Sequence, residues 1–110
     1  MHPHAFSWVL ISVSVLAEVL GTIALRYATG FTVFAPSLVA IICYGVAIWL
    51  MALALNHLEV GLTYAVWAGA GVALTAIVGI IWFNETINGL RILGLALIIG
   101  GVISLHLSVR

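Results

Sequence analysis

Four long apolar stretches dominate the sequence and leave it few ways to fold. They cover residues 6–25, 34–55, 60–83 and 90–108. Each is close to the roughly 20 residues that an α-helix needs to cross the hydrocarbon core of a bilayer. The 110 residues include only three Lys or Arg and three Asp or Glu, and 65% are hydrophobic. Since a water-exposed globule needs more charge than this, the sequence predicts an integral membrane protein.

Helices are favoured over a membrane β-barrel, the other structure that satisfies every backbone hydrogen bond in lipid. Residues 92–103 are apolar without the two-residue alternation that a barrel strand requires. The first stretch contains an acid and no Lys or Arg precedes it, so it is predicted to be a retained span rather than a secretory signal. We therefore predict an all-α membrane protein, with residues 1–110 forming a single domain of four transmembrane helices.

The acid in the first stretch is Glu18, and no basic residue lies within a helical turn or two of it. A charged side chain at the centre of a membrane helix costs about 2.5–3.5 kcal/mol on insertion scales, so such residues usually handle ions or substrates. The residues within roughly 60° of Glu18 around the helix are mostly small or hydroxylated: Ser7, Ile11, Ser14, Gly21, Thr22 and Leu25. We expect this stripe to face protein or water, with Ser14, Gly21 and Thr22 contacting substrate. A protonated Glu18 that only hydrogen-bonds a neighbouring helix is the alternative.

Three aromatic residues are candidates for binding a cation. Tyr64 and Trp67 are three residues apart, so they share a helix face, and Trp is the strongest cation–π partner. Tyr64 is near the start of its stretch, where anchoring at the membrane interface is an open alternative. Tyr44 lies in the middle of the second stretch, where a buried phenol needs a hydrogen-bond partner. We expect the Glu18 carboxyl to be that partner.

Glycines mark two further features. Gly94 and Gly101 are seven residues apart, and small residues at this spacing allow close helix contact in lipid. They are predicted to form a dimer contact, with packing inside one subunit as the alternative. Gly69 and Gly71 are predicted either to bend the third helix as a hinge or to form a contact groove.

The charges give little preference for one orientation in the membrane. Four spans put both termini on one side, so Arg26 and Arg91 lie opposite Arg110, and the positive-inside rule finds two residues against one. We hypothesise that the chain inserts both ways. Transporters often place two inverted halves around a midplane site, and four helices are too few for both halves. Two copies in opposite orientations would supply them, whereas a parallel homodimer is the commoner symmetry.

The remaining polar residues indicate neither catalysis nor a cofactor. The histidines show no spacing typical of a metal site: they are His2, His4, His57 and His106. The glycines form no phosphate-binding motif after a strand, and no pair of catalytic groups is visible. We expect no enzyme activity, no metal, no cofactor and no nucleic-acid partner.

Several segments together resemble the small multidrug resistance transporters, nearly from end to end. They are Ala17–Thr22, Gly30–Thr32, Pro36–Ser37, Gly61–Gly71 and Gly94–Val102. The resemblance implies an antiparallel, dual-topology homodimer in the bacterial inner membrane, which exchanges protons for hydrophobic or quaternary ammonium cations at one site shared by both subunits. The residues that it assigns to these roles are the acid Glu18, the substrate-facing aromatics Tyr44, Tyr64 and Trp67, and the dimer-packing glycines Gly94 and Gly101.

Gly21 bears on the choice between two branches of that family. The guanidinium-exporting branch typically has a bulky aromatic at this position, so the glycine makes this chain more similar to the quaternary-ammonium branch. Val33 and Ile48 depart from the family, in which many members carry a basic residue and an aromatic residue at these positions. Two alternatives stay open: a guanidinium-type exporter of the same fold, and a non-transporting or heterodimeric membrane subunit.

Elementary electrostatics agrees with the implied exchange. Desolvation and a second carboxyl in the same site both favour the protonated form of an acid, so proton exchange near neutral pH is expected. If the paired Glu18 residues bind either protons or one cation, but not both together, inward proton flow drives outward cation flow.

Overall fold

The computed structural model describes residues 3–108, which form four α-helices and, within that range, no strand. The helices are α1 (Pro3–Tyr27), α2 (Phe34–Ala54), α3 (Val60–Trp82) and α4 (Gly89–Ser108). All four are long and apolar enough to cross a membrane, which confirms the predicted all-α fold. Helix α1 begins at Pro3, before the predicted start at Phe6, because the fixed φ of proline suits the first helical turn. His2 and Arg110 lie outside the described residues.

The helices form two compact units, Met1–Glu59 and Val60–Arg110. The first contains α1 and α2, and the second contains α3 and α4. Each unit is therefore a helical hairpin. The single domain predicted for residues 1–110 stays a prediction.

Small side chains bring α1 and α2 together. Ala40, Ala47 and Ala54 are spaced seven apart on α2 and are each 0% exposed. Apolar side chains of α1 are buried as well, including Ile11 and Val15. Two helices gain no hydrophobic free energy by pairing in lipid, so close backbone approach through small residues is what stabilises such a contact.

A left-handed turn reverses the chain between α1 and α2. Thr29, Gly30 and Phe31 have φ values of 48°, 67° and 66°. The carbonyl oxygen of Ala28 accepts hydrogen bonds from the backbone N–H of Thr32 at 2.9 Å and of Val33 at 3.1 Å. Left-handed backbone costs roughly 1–2 kcal/mol at a residue other than glycine, so these bonds and the helices on either side must hold the turn in place.

The turn between α3 and α4 depends on another glycine. The Glu85 carboxylate lies against Gly79, where any Cβ would collide with it, and the Glu85 N–H donates to the Gly79 carbonyl oxygen at 3.0 Å. Asn88 then caps α4, since its Oδ1 accepts from the Arg91 N–H at 2.9 Å. Arg91 Nη1 also lies 3.5 Å from Glu85 Oε1. Glu85 of the connector and Arg91 of α4 therefore help to hold the turn in place.

Helix α3 runs without interruption through Gly69 and Gly71. Gly69 is buried, and a Cβ added to it would lie 2.6 Å from Cγ2 of Val102 on α4. The glycine therefore admits the valine side chain, which favours the contact groove over the hinge at this position. A hinge motion at Gly69 or Gly71 stays a prediction.

Candidate functional site

Glu18 lies in the middle of α1 with its carboxyl half-buried. Its Oε2 atom is buried and has no hydrogen-bond partner among residues 3–108. A buried carboxyl oxygen without a partner is costly, because the water that would solvate it has been removed. Protonation, or a partner from outside the described residues, would relieve this cost.

A chain of hydroxyl groups lies one helical turn after Glu18. The Thr22 hydroxyl donates to the Glu18 carbonyl oxygen at 3.0 Å, and its Oγ1 lies 2.6 Å from the hydroxyl oxygen of Tyr44. Either hydroxyl can be the donor in the bond between Thr22 and Tyr44. The expectation that the Glu18 carboxyl is the partner of Tyr44 is wrong, because the Thr22 hydroxyl lies on the same face of α1 and bonds to the tyrosine instead.

Ser14 and Gly21 lie in the contact between α1 and α2. The fully buried Ser14 hydroxyl donates to the Ala47 carbonyl oxygen at 2.6 Å. A Cβ added to Gly21 would lie 3.2 Å from Cβ of Cys43 and 3.5 Å from Cδ1 of Tyr44. The predicted inward-facing stripe of α1 is confirmed, and the protein that it faces is α2. A substrate contact by either residue stays a prediction.

The second unit contains the other predicted aromatic residues. The ring centroids of Tyr64 and Trp67 are 5.8 Å apart with planes inclined at 37°, so the two rings share a helix face as predicted. Tyr64 is 57% exposed and Trp67 is half-buried. Aromatic faces carry negative partial charge, so this pair offers a surface suited to an organic cation.

Gly101 is exposed on α4, whereas Gly94 is half-buried and lines a cavity with Val72, Thr75 and Ala76 of α3. A Cβ added to either glycine would meet no atom within 4 Å in the part of the chain that the structure describes. Leu97, which lies between the two glycines in the sequence, is 67% exposed. Gly101 therefore does not serve contact with α3, and the role of both glycines in a dimer stays a prediction.

Sequence reasoning missed Thr63. Its side chain is fully buried, and its Oγ1 has no hydrogen-bond partner among the described residues. The available signal was a hydroxyl residue inside an apolar span, directly before Tyr64. The alanines of α2 were also missed, although their seven-residue spacing is visible in the sequence.

The structure thus brings the predicted site residues together in two groups. Glu18, Thr22 and Tyr44 adjoin in the first unit, and Tyr64 and Trp67 adjoin in the second. Within residues 3–108, no three His, Cys, Asp or Glu side chains gather in an arrangement that could hold a metal ion.

Comparison with known proteins places this arrangement in a family. The family model described as "Small Multidrug Resistance protein" matches residues 6–98. The chain belongs to the small multidrug resistance family. The resemblance drawn from its motifs is therefore confirmed.

Curated relatives match nearly the whole chain. A "Quaternary ammonium compound-resistance protein QacC" of Staphylococcus sp. (strain ST827) is 40% identical over 91% of this chain and 94% of the relative. An "Uncharacterized membrane protein YvaE" of Bacillus subtilis (strain 168) is 38% identical over 92% and 85%. A "Guanidinium exporter" of Yersinia pseudotuberculosis is 37% identical over 93% and 98%.

These findings show what general kind of protein this small multidrug resistance protein is. The family is one of transporters rather than enzymes. Four helices able to span a membrane, together with bacterial relatives, make it an integral protein of the inner membrane.

Proposed function

We propose that this protein is a proton-coupled antiporter that exports hydrophobic and quaternary ammonium cations. Glu18 of each subunit binds a proton or shares in binding the cation, and the two compete. The observation that carries the proposal is the buried Glu18 Oε2, which has no hydrogen-bond partner among the described residues. The proposal includes no catalytic step and no cofactor.

Competition at Glu18 couples the two flows. A charged carboxylate in an apolar span is unfavourable unless a positive guest neutralises it, and a proton or an organic cation can do so. Tyr64 and Trp67 offer aromatic surface to a cation whose charge is buried among apolar groups. Aromatic surface of this kind suits lipophilic cations better than small hydrated ions.

We further propose that the working unit is an antiparallel homodimer with one shared site. The open face of α4 around the exposed Gly101 supports a contact with a second copy. The small difference in charge between the two sides of the membrane, Arg26 and Arg91 against Arg110, supports insertion in both orientations. A reporter fused to the C-terminus is then expected on both sides of the membrane, and its detection on one side alone would refute dual insertion.

The central test is the substitution Glu18→Gln, with Glu59→Gln as a matched control at an exposed position in the α2–α3 connector. The purified protein is reconstituted alone, and the binding of tetraphenylphosphonium and the release of protons are measured in weak buffer. We expect the natural protein and Glu59→Gln to bind the cation and release protons, and Glu18→Gln to do neither. Cation binding by Glu18→Gln with unchanged affinity would refute the competition.

Guanidinium export is the second candidate, favoured by the similarity to the Yersinia relative of that name. Gly21 counts against it, because the guanidinium-exporting branch typically has a bulky aromatic residue at this position. A Cβ added to Gly21 would lie 3.2 Å from Cβ of Cys43 and 3.5 Å from Cδ1 of Tyr44, so a bulky aromatic side chain would not fit the observed α1–α2 contact. Proteoliposome currents driven by guanidinium and by a quaternary ammonium distinguish the two candidates. A non-transporting or heterodimeric subunit would give neither current when reconstituted alone.

A further inference from the structure

We propose that Thr22 is a positioning residue for Tyr44: its hydroxyl holds the tyrosine ring against the turn of α1 that carries Glu18. The inference rests on the proposed function, since the positioned ring is taken to contact the exported cation. It changes the role expected for Thr22 from touching substrate to acting through Tyr44.

The first support is the chain of hydrogen bonds. Thr22 Oγ1 lies 2.6 Å from the hydroxyl oxygen of Tyr44 and 3.0 Å from the Glu18 carbonyl oxygen, which accepts from it. The chain ends on a backbone carbonyl oxygen of a helix, which is a fixed acceptor. Tyr44 is thereby tied to the backbone of Glu18 through a single intermediate side chain.

The second support is the contact between the same ring and Gly21. A Cβ on Gly21 would lie 3.5 Å from Cδ1 of Tyr44, so this part of the ring packs on the bare helix surface. The ring is therefore held at its edge by Gly21 and at its hydroxyl by Thr22. A side chain held at two points has little rotamer freedom left to lose when a ligand binds, which strengthens binding.

The hydrogen bond also determines what Tyr44 can offer a ligand. Its hydroxyl is hydrogen-bonded to Thr22 and makes no hydrogen bond to the Glu18 carboxyl. Tyr44 therefore does not stabilise the ionised Glu18 by hydrogen bonding. It presents a fixed aromatic ring.

Four variants test the proposal. Thr22→Val keeps the shape and removes the hydroxyl, Thr22→Ser keeps the hydroxyl, Tyr44→Phe removes the other partner, and Thr22→Val is combined with Tyr44→Phe. The control is Ser12→Ala, because the Ser12 hydroxyl also donates to a carbonyl oxygen one turn earlier, that of Trp8, at 2.9 Å on the exposed side of α1.

The first measurement is the Kd of tetraphenylphosphonium. Losing one hydrogen bond is expected to weaken binding roughly three- to tenfold in Thr22→Val and in Tyr44→Phe. The double variant is expected to be no weaker than either single variant, because both remove the same interaction. Thr22→Ser should stay within about twofold of the natural protein, and Ser12→Ala should match it.

The second measurement does not need substrate. Tyrosine labelled with ¹³C at Cζ reports whether each phenol donates a hydrogen bond, and the Tyr44 resonance is assigned by its absence in Tyr44→Phe. We expect this resonance to move in Thr22→Val and to return in Thr22→Ser, while the resonances of Tyr27 and Tyr64 stay unchanged.

Three results would overturn the inference: an unmoved Tyr44 resonance in Thr22→Val, additive losses in the double variant, or a Thr22→Ser variant as weak as Thr22→Val. Failure of the proposed function looks different. In that case the natural protein itself binds no cation, while the Tyr44 resonance still responds to Thr22.

Discussion

The Glu18 carboxyl has one buried oxygen that no described residue satisfies, although hydroxyl groups lie close by. Thr22 bonds to the Tyr44 hydroxyl and to the backbone carbonyl oxygen of Glu18, and neither hydroxyl bonds to the Glu18 carboxyl. Thr22 and Tyr44 thus leave the Glu18 carboxyl without a hydrogen bond from either hydroxyl. The proposed exchange of protons and cations requires a carboxyl that is not already occupied in this way.

Trp67→Ala is expected to weaken binding of aromatic cations more than that of aliphatic ones. A cation–π contact contributes about 0.5–2 kcal/mol, so its loss raises Kd by roughly 2- to 30-fold. Titration of a ligand series, from tetraethylammonium to tetraphenylphosphonium, measures the difference. Trp49→Ala is the control, because Trp49 is 60% exposed on α2. An unchanged Kd across the series would count against ring stacking.

At the scale of elements, the two hairpins bring their helices into close contact in different ways. Helices α1 and α2 use alanines at seven-residue spacing and a serine hydroxyl bonded to the opposite backbone. Helices α3 and α4 use one glycine, Gly69, which receives the Val102 side chain. Both solutions shorten the distance between helix backbones, because dispersion and hydrogen bonding replace the hydrophobic effect between helices in lipid.

Gly69→Ala is expected to destabilise the α3–α4 pair by about 1–3 kcal/mol, because the new Cβ would lie 2.6 Å from Val102 Cγ2. Val102→Ala in the same chain removes that methyl group and should recover part of the loss. The free energy of unfolding, from denaturant titration in micelles, measures both effects. Gly61→Ala is the control, since its Cβ meets no described atom within 4 Å. Equal losses of unfolding free energy in Gly69→Ala and Gly61→Ala would contradict the contact between Gly69 and Val102.

At the scale of the whole molecule, α4 is the helix that the chain leaves least covered: none of its described residues is buried. In lipid this alone requires no partner, since apolar side chains can face acyl chains. The small residues set it apart, because glycines give lipid no large surface to contact while they allow another helix to come close. The open face of α4 is therefore where we expect the second copy.

Gly101→Val is expected to weaken dimerisation by about 1–3 kcal/mol, or roughly 5- to 150-fold, through overpacking of the α4 contact. Gly100→Val is the matched control: it makes the same change one residue away, about 100° around the helix from Gly101. A Cβ on either glycine meets no described atom within 4 Å, so neither change disturbs the hairpin directly. Energy transfer between labelled subunits in liposomes measures the dimer. Equal losses in the two variants would reject this face.

The sequence by itself determined the four spans, the membrane environment, the family and the position of Glu18 in the first helix. These follow from residue type and spacing along a single helix, since an apolar stretch of the right length must hydrogen-bond its own backbone in lipid. The face shared by Tyr64 and Trp67 was predictable for the same reason.

Only the tertiary structure decided the partner of Tyr44, the packing roles of Ser14 and Gly21, and the contact between Gly69 and Val102. Each depends on how one helix is rotated and shifted against its neighbour, and the periodicity of a single helix contains no information about that choice. The sequence placed hydroxyl groups and an acid on one face of α1. The fit of α1 against α2 decided that the Tyr44 hydroxyl bonds to Thr22 and leaves the Glu18 carboxyl free of it.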